Sequence, residues 1–249
     1  MGSGRTTVFV HGLAFGSMAL WYMTGVTALS DARRIVLYDQ RGHGNSSEAA
    51  AGFDLDTQAN DLDAVVRSYV GDDETIDLVG HSMGGLIAMH YAMRWPEKVR
   101  RCVVVDAGVP ASQYMLPGLQ AIQSEDALNA YLDSPYSISP GLGGRRRERV
   151  FQRLKGLFFE STMIQDVAAM QTPPPEDMTR LRMPVLLVYG RTSPFIPAAH
   201  FLLEHLPCAQ LALLECGHRI TREAPAALFA EIGRFLQPAA AVDASAART

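Results

Sequence analysis

Thr75-Ile76-Asp77-Leu78-Val79-Gly80-His81-Ser82-Met83-Gly84-Gly85-Leu86 is the stretch on which the fold reading turns. Residues 75–79 make a short β-branched and apolar run, and residues 86–93 carry a helical apolar pattern. Between them stands Gly80-x-Ser82-x-Gly84. A strand that passes into a helix over so few residues needs a tight, strained turn. Small residues on both sides of the serine make room for it. The turn exposes the Ser82 hydroxyl above the sheet and aims it at the start of the helix, where backbone N–H groups can meet a developing negative charge. The pentapeptide alone is a modest signal; between a buried strand and a helix it is a specific one.

Further strand candidates fall on either side of this stretch, at residues 7–10, 35–38, 102–105, 185–189 and 210–214. Most are continuous apolar runs rather than alternating ones, as expected for parallel strands buried on both faces. Amphipathic stretches separate them. Leu62, Val65, Val66, Tyr69 and Val70 recur at helical spacing, and Leu228, Ile232, Phe235 and Leu236 form the stripe of a last helix with Pro225 in its first turn. The expected fold class is α/β, a mostly parallel sheet flanked by helices.

Residues 110–183 break the alternation. They carry helical stripes (Val150, Leu154, Leu157 and Phe158; Met163, Ile164 and Val167), with Gly141, Gly143 and Gly144 interrupting and Pro173-Pro174-Pro175 closing the interval. An insertion of that length between two strands reads as a helical lid. The expected organisation is a core of residues 1–109 and 184–238, a lid of 110–183, and a flexible Ala-rich tail of 239–249.

Composition narrows the function classes. The chain has 249 residues, 48% of them hydrophobic, which fits one large domain and excludes a disordered chain. A net charge of −4 gives no electrostatic footprint for nucleic acid. Three scattered cysteines, Cys102, Cys208 and Cys216, argue against a disulfide framework and show no metal-ligand spacing. No signal peptide and no apolar run of about 18 residues is visible, so the expectation is a cytoplasmic protein with no membrane span.

A serine needs a base to become a nucleophile at neutral pH. Gly217-His218 comes after the last strand candidate, which makes His218 the candidate general base and acid; the alternative is a loop histidine capping the final helix. His11-Gly12-Leu13 comes after the first strand. It is either an ordinary strand-end turn or an oxyanion loop, with the Leu13 N–H paired across the site with that of Met83.

With these stretches assembled, the chain resembles α/β-hydrolase-fold enzymes over nearly its whole length. The matching stretches are Val8-Phe9-Val10-His11-Gly12, Asp39-Gln40-Arg41-Gly42-His43-Gly44, the elbow at 80–85, Arg94-Trp95-Pro96-Glu97-Lys98-Val99, residues 183–190 and Gly217-His218. The resemblance implies an eight-stranded sheet, a nucleophile–acid–histidine triad, no cofactor and a lid after the family's sixth strand.

The chain departs from that family pattern in two places. Where the family often carries Gly-x-x-Asp-x-x-x-Pro after its seventh strand, this chain reads Gly190-Arg191-Thr192-Ser193-Pro194-Phe195-Ile196-Pro197. Ser193 cannot supply the negative charge that steadies an imidazolium. Some family members place the acid after the sixth strand instead, and Asp106 directly succeeds Cys102-Val103-Val104-Val105 here. Asp106 is thus the candidate acid. Otherwise it caps the strand end, as Asp39 does, leaving a Ser82–His218 dyad or an inactivated site. The second departure is an apparently absent amino-terminal hairpin. Without it, residues 35–38 form a bare apolar edge: either the natural protein lacks the hairpin and covers that edge by association, or the sequence begins late, and a homodimer through the edge is expected if the chain is complete.

Weaker features have plainer readings. Arg145-Arg146-Arg147 reads as a solvated helix end and His43 as structural; His81 receives no role, and Cys216 is packing. Met115, Met163, Met170 and Met178 are either an adaptable apolar pocket or lid core. The leading functional reading is a serine hydrolase of carboxylic ester, lactone or thioester bonds acting through Ser82, His218 and Asp106, with Leu13 and Met83 holding the oxyanion and a small, apolar acyl substrate. Acyl transfer, cyclisation or elimination is a second reading, and a non-catalytic binder on the same fold a third.

Overall fold

The computed structural model describes residues 1–71, 74–109, 113, 116–134, 141 and 143–237, leaving aside the side chains of 116 and 117. The lid's first residues, Met115 and the 239–249 tail lie outside the described residues.

All six expected strands form. They are β1 (Arg5–Val10), β2 (Arg33–Leu37), β3 (Ile76–His81), β4 (Val99–Val105), β5 (Val185–Gly190) and β6 (Ala209–Leu214), in the order β2-β1-β3-β4-β5-β6. Every pairing is parallel. Alternate residues of each strand feed two separate cores, as the two-residue period of a strand requires. Val8, Val10, Leu78, Val104 and Leu187 face one. Phe9, Val79, Val103, Val105, Leu186 and Val188 face the other, closed by Trp21 of α1 (Met18–Thr24). This is why the strands read as unbroken apolar runs.

The resemblance implies eight strands; six are present, and the two amino-terminal ones are not among the described residues. That leaves β2 at the sheet edge, but not bare. Ile35 donates its N–H to the Met1 carbonyl at 2.7 Å and accepts from the Met1 ammonium at 2.9 Å. These are two of the groups that pairing between chains would need, so this edge gives the expected homodimer no support.

Helix α2 (Leu55–Tyr69) is capped by Asp54, whose carboxylate accepts from the Thr57 N–H, and α3 (Met83–Arg94) runs beneath the sheet's central strands. Between β4 and β5 the chain forms α4 (Leu116–Gln120), α5 (Glu125–Asp133), α6 (Gly144–Phe159), α7 (Met163–Ala169) and α8 (Pro175–Met178), with no strand among the described residues. Met163, Met170 and Met178 are buried in the main core alongside Leu128, Leu154 and Phe158. Both readings of these methionines have a counterpart, since Met170 and Met178 also line an apolar pocket with Leu86 and Met89. Arg145 and Arg146 are exposed at the start of α6, and Arg147 pairs with Asp133 on α5 at 2.9 Å. After β5 come α9 (Ile196–His205), then, beyond β6, α10 (Ile220–Glu223) and α11 (Pro225–Leu236).

The strand order reverses between β1 and β3, since the chain runs outward to β2 before returning. In an open parallel sheet, ligands bind at the carboxyl ends of strands beside such a reversal. His11, Ser82, Asp106 and the loop after β6 all lie at that end.

Candidate active site

The elbow has the predicted strain. Ser82 sits at φ 55° and ψ −124°, a region that L-residues avoid. Its flanking glycines are compulsory. A Cβ on Gly80 would lie 2.1 Å from the Gly84 carbonyl oxygen, and one on Gly84 would lie 2.3 Å from that of Val10. Ser82→Gly is expected to relax this backbone and raise stability by about 1 kcal/mol, after allowing for glycine's greater freedom in the unfolded chain. A thermal melt showing no rise in Tm refutes this.

His218 lies four residues beyond β6, and its Nδ1 stands 3.4 Å from Asp106 Oδ2. Asp106 is fully buried and itself takes a positive φ of 50°, which Asp tolerates better than most residues. Burial pushes its carboxyl pKa up, while the facing His218 imidazole and the Ser193 hydroxyl pull it down. Asp39 shows what a capping carboxylate looks like in this chain. Its oxygens accept the Met18 and Asn45 N–H groups at 2.7 and 2.8 Å. Asp106 accepts no backbone amide of that kind among the described residues, and its carboxylate is turned to His218. Its own N–H donates to Val188, and the next residue is tied down by the Tyr189 hydroxyl, which donates to the Ala107 carbonyl at 2.7 Å.

Ser193, where the family pattern has the acid, is a turn residue. Its hydroxyl oxygen accepts from the Phe195 N–H at 3.1 Å. That turn sets the Phe195 ring edge-on to His218 with centroids 4.5 Å apart.

His81, given no role from sequence, stacks on His218 at 5.1 Å with the rings 24° apart, and its Nε2 lies 3.2 Å from the His218 carbonyl oxygen. Burial drives its pKa down to about 3, so it is a neutral plate behind His218. Burial also lowers His11 to about 4 and His43 to about 3. The unfolded chain takes up these three protons near pH 6.5 and the folded chain does not, so stability falls as pH drops below 6.5. Asp77 and Asp106, whose pKa values are raised by burial, act in the opposite sense. The expected outcome is a lower urea midpoint at pH 5 than at pH 7, with the three histidines outweighing the two carboxylates.

Gly12 lies against the elbow, where a Cβ would come 3.3 Å from Ser82 Cβ. This brings the loop carrying Leu13 beside the nucleophile and the first-turn amide of Met83. One cavity of about 170 Å³ is lined by Ser82, His218 and Leu13 and by residues the sequence did not flag, among them Phe15, Tyr131 of α5, and Arg219 and Arg222 around α10. None of these sits in a motif, so no sequence spacing marks them. Met163, Met170 and Met178 do not line it; Met170 and Met178 line a separate apolar pocket with Leu86, Met89 and Leu202. Among the described residues, no group of three or more His, Cys, Asp or Glu is arranged to hold a metal.

A model of the alpha/beta hydrolase family matches residues 7–232. This chain belongs to that family. As an α/β-hydrolase it is an enzyme of the hydrolase class, and no helix among its described residues is long and apolar enough to cross a membrane. It is 26% identical, over 94% of its length and 83% of the relative's, to a cis-3-alkyl-4-alkyloxetan-2-one decarboxylase of Shewanella oneidensis. It is 28% identical, over 80% and 74%, to a 2-(acetamidomethylene)succinate hydrolase of Mesorhizobium japonicum. A hydrolase structure from Pseudomonas aeruginosa superposes with a TM-score of 0.74 at 18% identity, covering 96% of this α/β-hydrolase and 92% of that chain, a likeness of fold.

Proposed function

We propose that this α/β-hydrolase cleaves carboxylic esters, lactones or thioesters through a Ser82–His218–Asp106 triad and an acyl-enzyme. The observation that carries the reading is the buried Asp106 carboxylate 3.4 Å from His218 Nδ1, with His218 and the strained Ser82 in one cavity. Ser82 Oγ attacks the carbonyl carbon while His218 takes its proton. Asp106 holds the imidazole in the required tautomer and stabilises its cationic form. The Leu13 and Met83 N–H groups receive the oxyanion. His218 then protonates the leaving group and activates the water that releases the acid. The helices between β4 and β5 act as a lid, a role supported by Tyr131 reaching the cavity wall. The Shewanella relative is named as a decarboxylase, so the steps after nucleophilic attack call for a direct test.

That test is the intact mass of the full chain after exposure to a neutral alkyl fluorophosphonate. One adduct on the native protein, absent from Ser82→Ala, is expected. An unlabelled native chain, or labelling that persists in Ser82→Ala, overturns the reading. Product analysis with a competing alcohol separates hydrolysis from transfer.

A further inference from the structure

His81 presents its two ring nitrogens to different surroundings. Nε2 lies 3.2 Å from the His218 carbonyl oxygen. A carbonyl can only accept, so the proton of the neutral ring sits on Nε2 and Nδ1 keeps a lone pair. No hydrogen bond reaches Nδ1 among the described residues, and it is not sealed inside the protein as the unpaired His43 Nε2 is. His81 lines the Ser82 cavity together with Gly12 and Leu20. Within that cavity Nδ1 is on the side of the nucleophile. A Cβ built on Gly12 would lie 3.5 Å from His81 Nδ1 and 3.3 Å from Ser82 Cβ, so both atoms are in van der Waals reach of one point.

The ring that carries this lone pair is fixed. His218 covers one face at 5.1 Å, Trp21 of α1 stands at 86° to it with centroids 6.4 Å apart, and only 8% of the residue is exposed. Burial holds its pKa at about 3, so at neutral pH Nδ1 accepts and never donates. We infer that His81 Nδ1 is a specificity-determining acceptor, and that the substrate carries an O–H or N–H donor close to the scissile carbonyl, in its acyl part or its leaving group. A hydroxy ester is a compound of this kind. A substrate without the donor displaces water from Nδ1 and leaves the lone pair unpaired, which disfavours it in the transition state. Because the acceptor is held rigidly, binding orders no additional side chain. This inference rests on the Ser82 hydrolase reading and narrows it to a substrate class.

The test compares kcat/KM within two matched ester pairs, each value divided by that ester's rate with hydroxide. One pair is aryl 2-hydroxybutanoate and aryl butanoate; the other is 2-hydroxyethyl butanoate and propyl butanoate. In the native protein the hydroxy ester is expected to lead about tenfold in one pair, the size of one hydrogen bond, and which pair it is assigns the donor to the acyl part or the leaving group. Three variants then locate the acceptor. His81→Asn sets an oxygen where Nδ1 stands and is expected to keep much of the ratio. His81→Gln, which restores only the Nε2 donor, and His81→Phe, which keeps only the flat ring, are expected to bring it near one. A purely structural role for His81 lowers both members of a pair together and leaves the ratio unmoved. A native ratio of one or below in both pairs, which needs no variant to read, overturns the assignment and leaves the hydrolase reading intact. So does a ratio that survives in both His81→Gln and His81→Phe. Turnover of none of the four esters by a protein whose Ser82 still takes a fluorophosphonate overturns the substrate class alone. An unlabelled Ser82 overturns the hydrolase reading and this inference together.

Discussion

Asp106→Asn is expected to lower kcat/KM for an activated ester by about 10³–10⁴-fold, with the fold and the melting temperature nearly preserved. Asparagine fills the same space at the end of β4 and tolerates the same positive φ, 50° at this position. What it lacks is the charge. Without a carboxylate at 3.4 Å, His218 is no longer held with a proton on Nδ1 and its cationic form loses its counter-charge. The drop falls on kcat, since Asp106 stands behind His218 and does not line the cavity. A loss below about tenfold would remove Asp106 from the mechanism and leave a dyad, because general-base assistance alone is worth more than that.

Arg33→Met carries the largest expected effect on stability, a loss of about 3 kcal/mol. Asp77 lies beneath the sheet on β3 with its side chain fully buried, and Arg33 Nη1 on β2 meets its Oδ2 at 2.6 Å. Arg100 on β4 pairs with the same oxygen, and Arg33 also donates to the Leu236 carbonyl of α11. Burial alone pushes the Asp77 carboxyl up in pKa, and the two arginines hold it down. Removing Arg33 strands part of that charge away from water, and the remaining arginine compensates only in part. The measurement is the urea midpoint with the denaturant slope unchanged. A loss under about 1 kcal/mol would mean that Arg100 suffices. The double variant Arg33→Met with Asp77→Leu is expected to recover most of the loss, because it removes both ends of the pair.

These two carboxylates differ in how far a string of residues reveals them. Asp106 is legible because it succeeds a buried apolar strand in the order nucleophile, acid, histidine. The arginine pair on Asp77 is not, because Arg33 and Arg100 lie 44 and 23 residues from Asp77 and meet it only through the strand order. His81 shows the same boundary from inside the motif. It occupies the variable position of the elbow, where sequence says nothing of side-chain direction, yet the strained turn sets its ring against His218. Ser193 shows a departure whose meaning is visible only in space. As a string it is a missing acid, while in the fold it is a turn residue near an acid supplied by the adjacent strand. The methionines between β4 and β5 mark a similar boundary. Composition reports how many apolar side chains an interval holds and not which way they point: Met163 packs in the core, while Met170 and Met178 also line a pocket that Ser82 does not share.

The sequence by itself determined the six strands, the elbow glycines and the three residues proposed for chemistry. Each is governed by local rules: unbroken apolar runs for doubly covered strands, compulsory glycine where a Cβ has no room, and motif order along the chain. Only the tertiary structure decided that the Asp106 carboxylate turns to His218 instead of capping its strand end, and what lines the cavity. Those depend on contacts between strand ends and helices far apart in sequence, where burial and a separation of a few ångströms set the interaction.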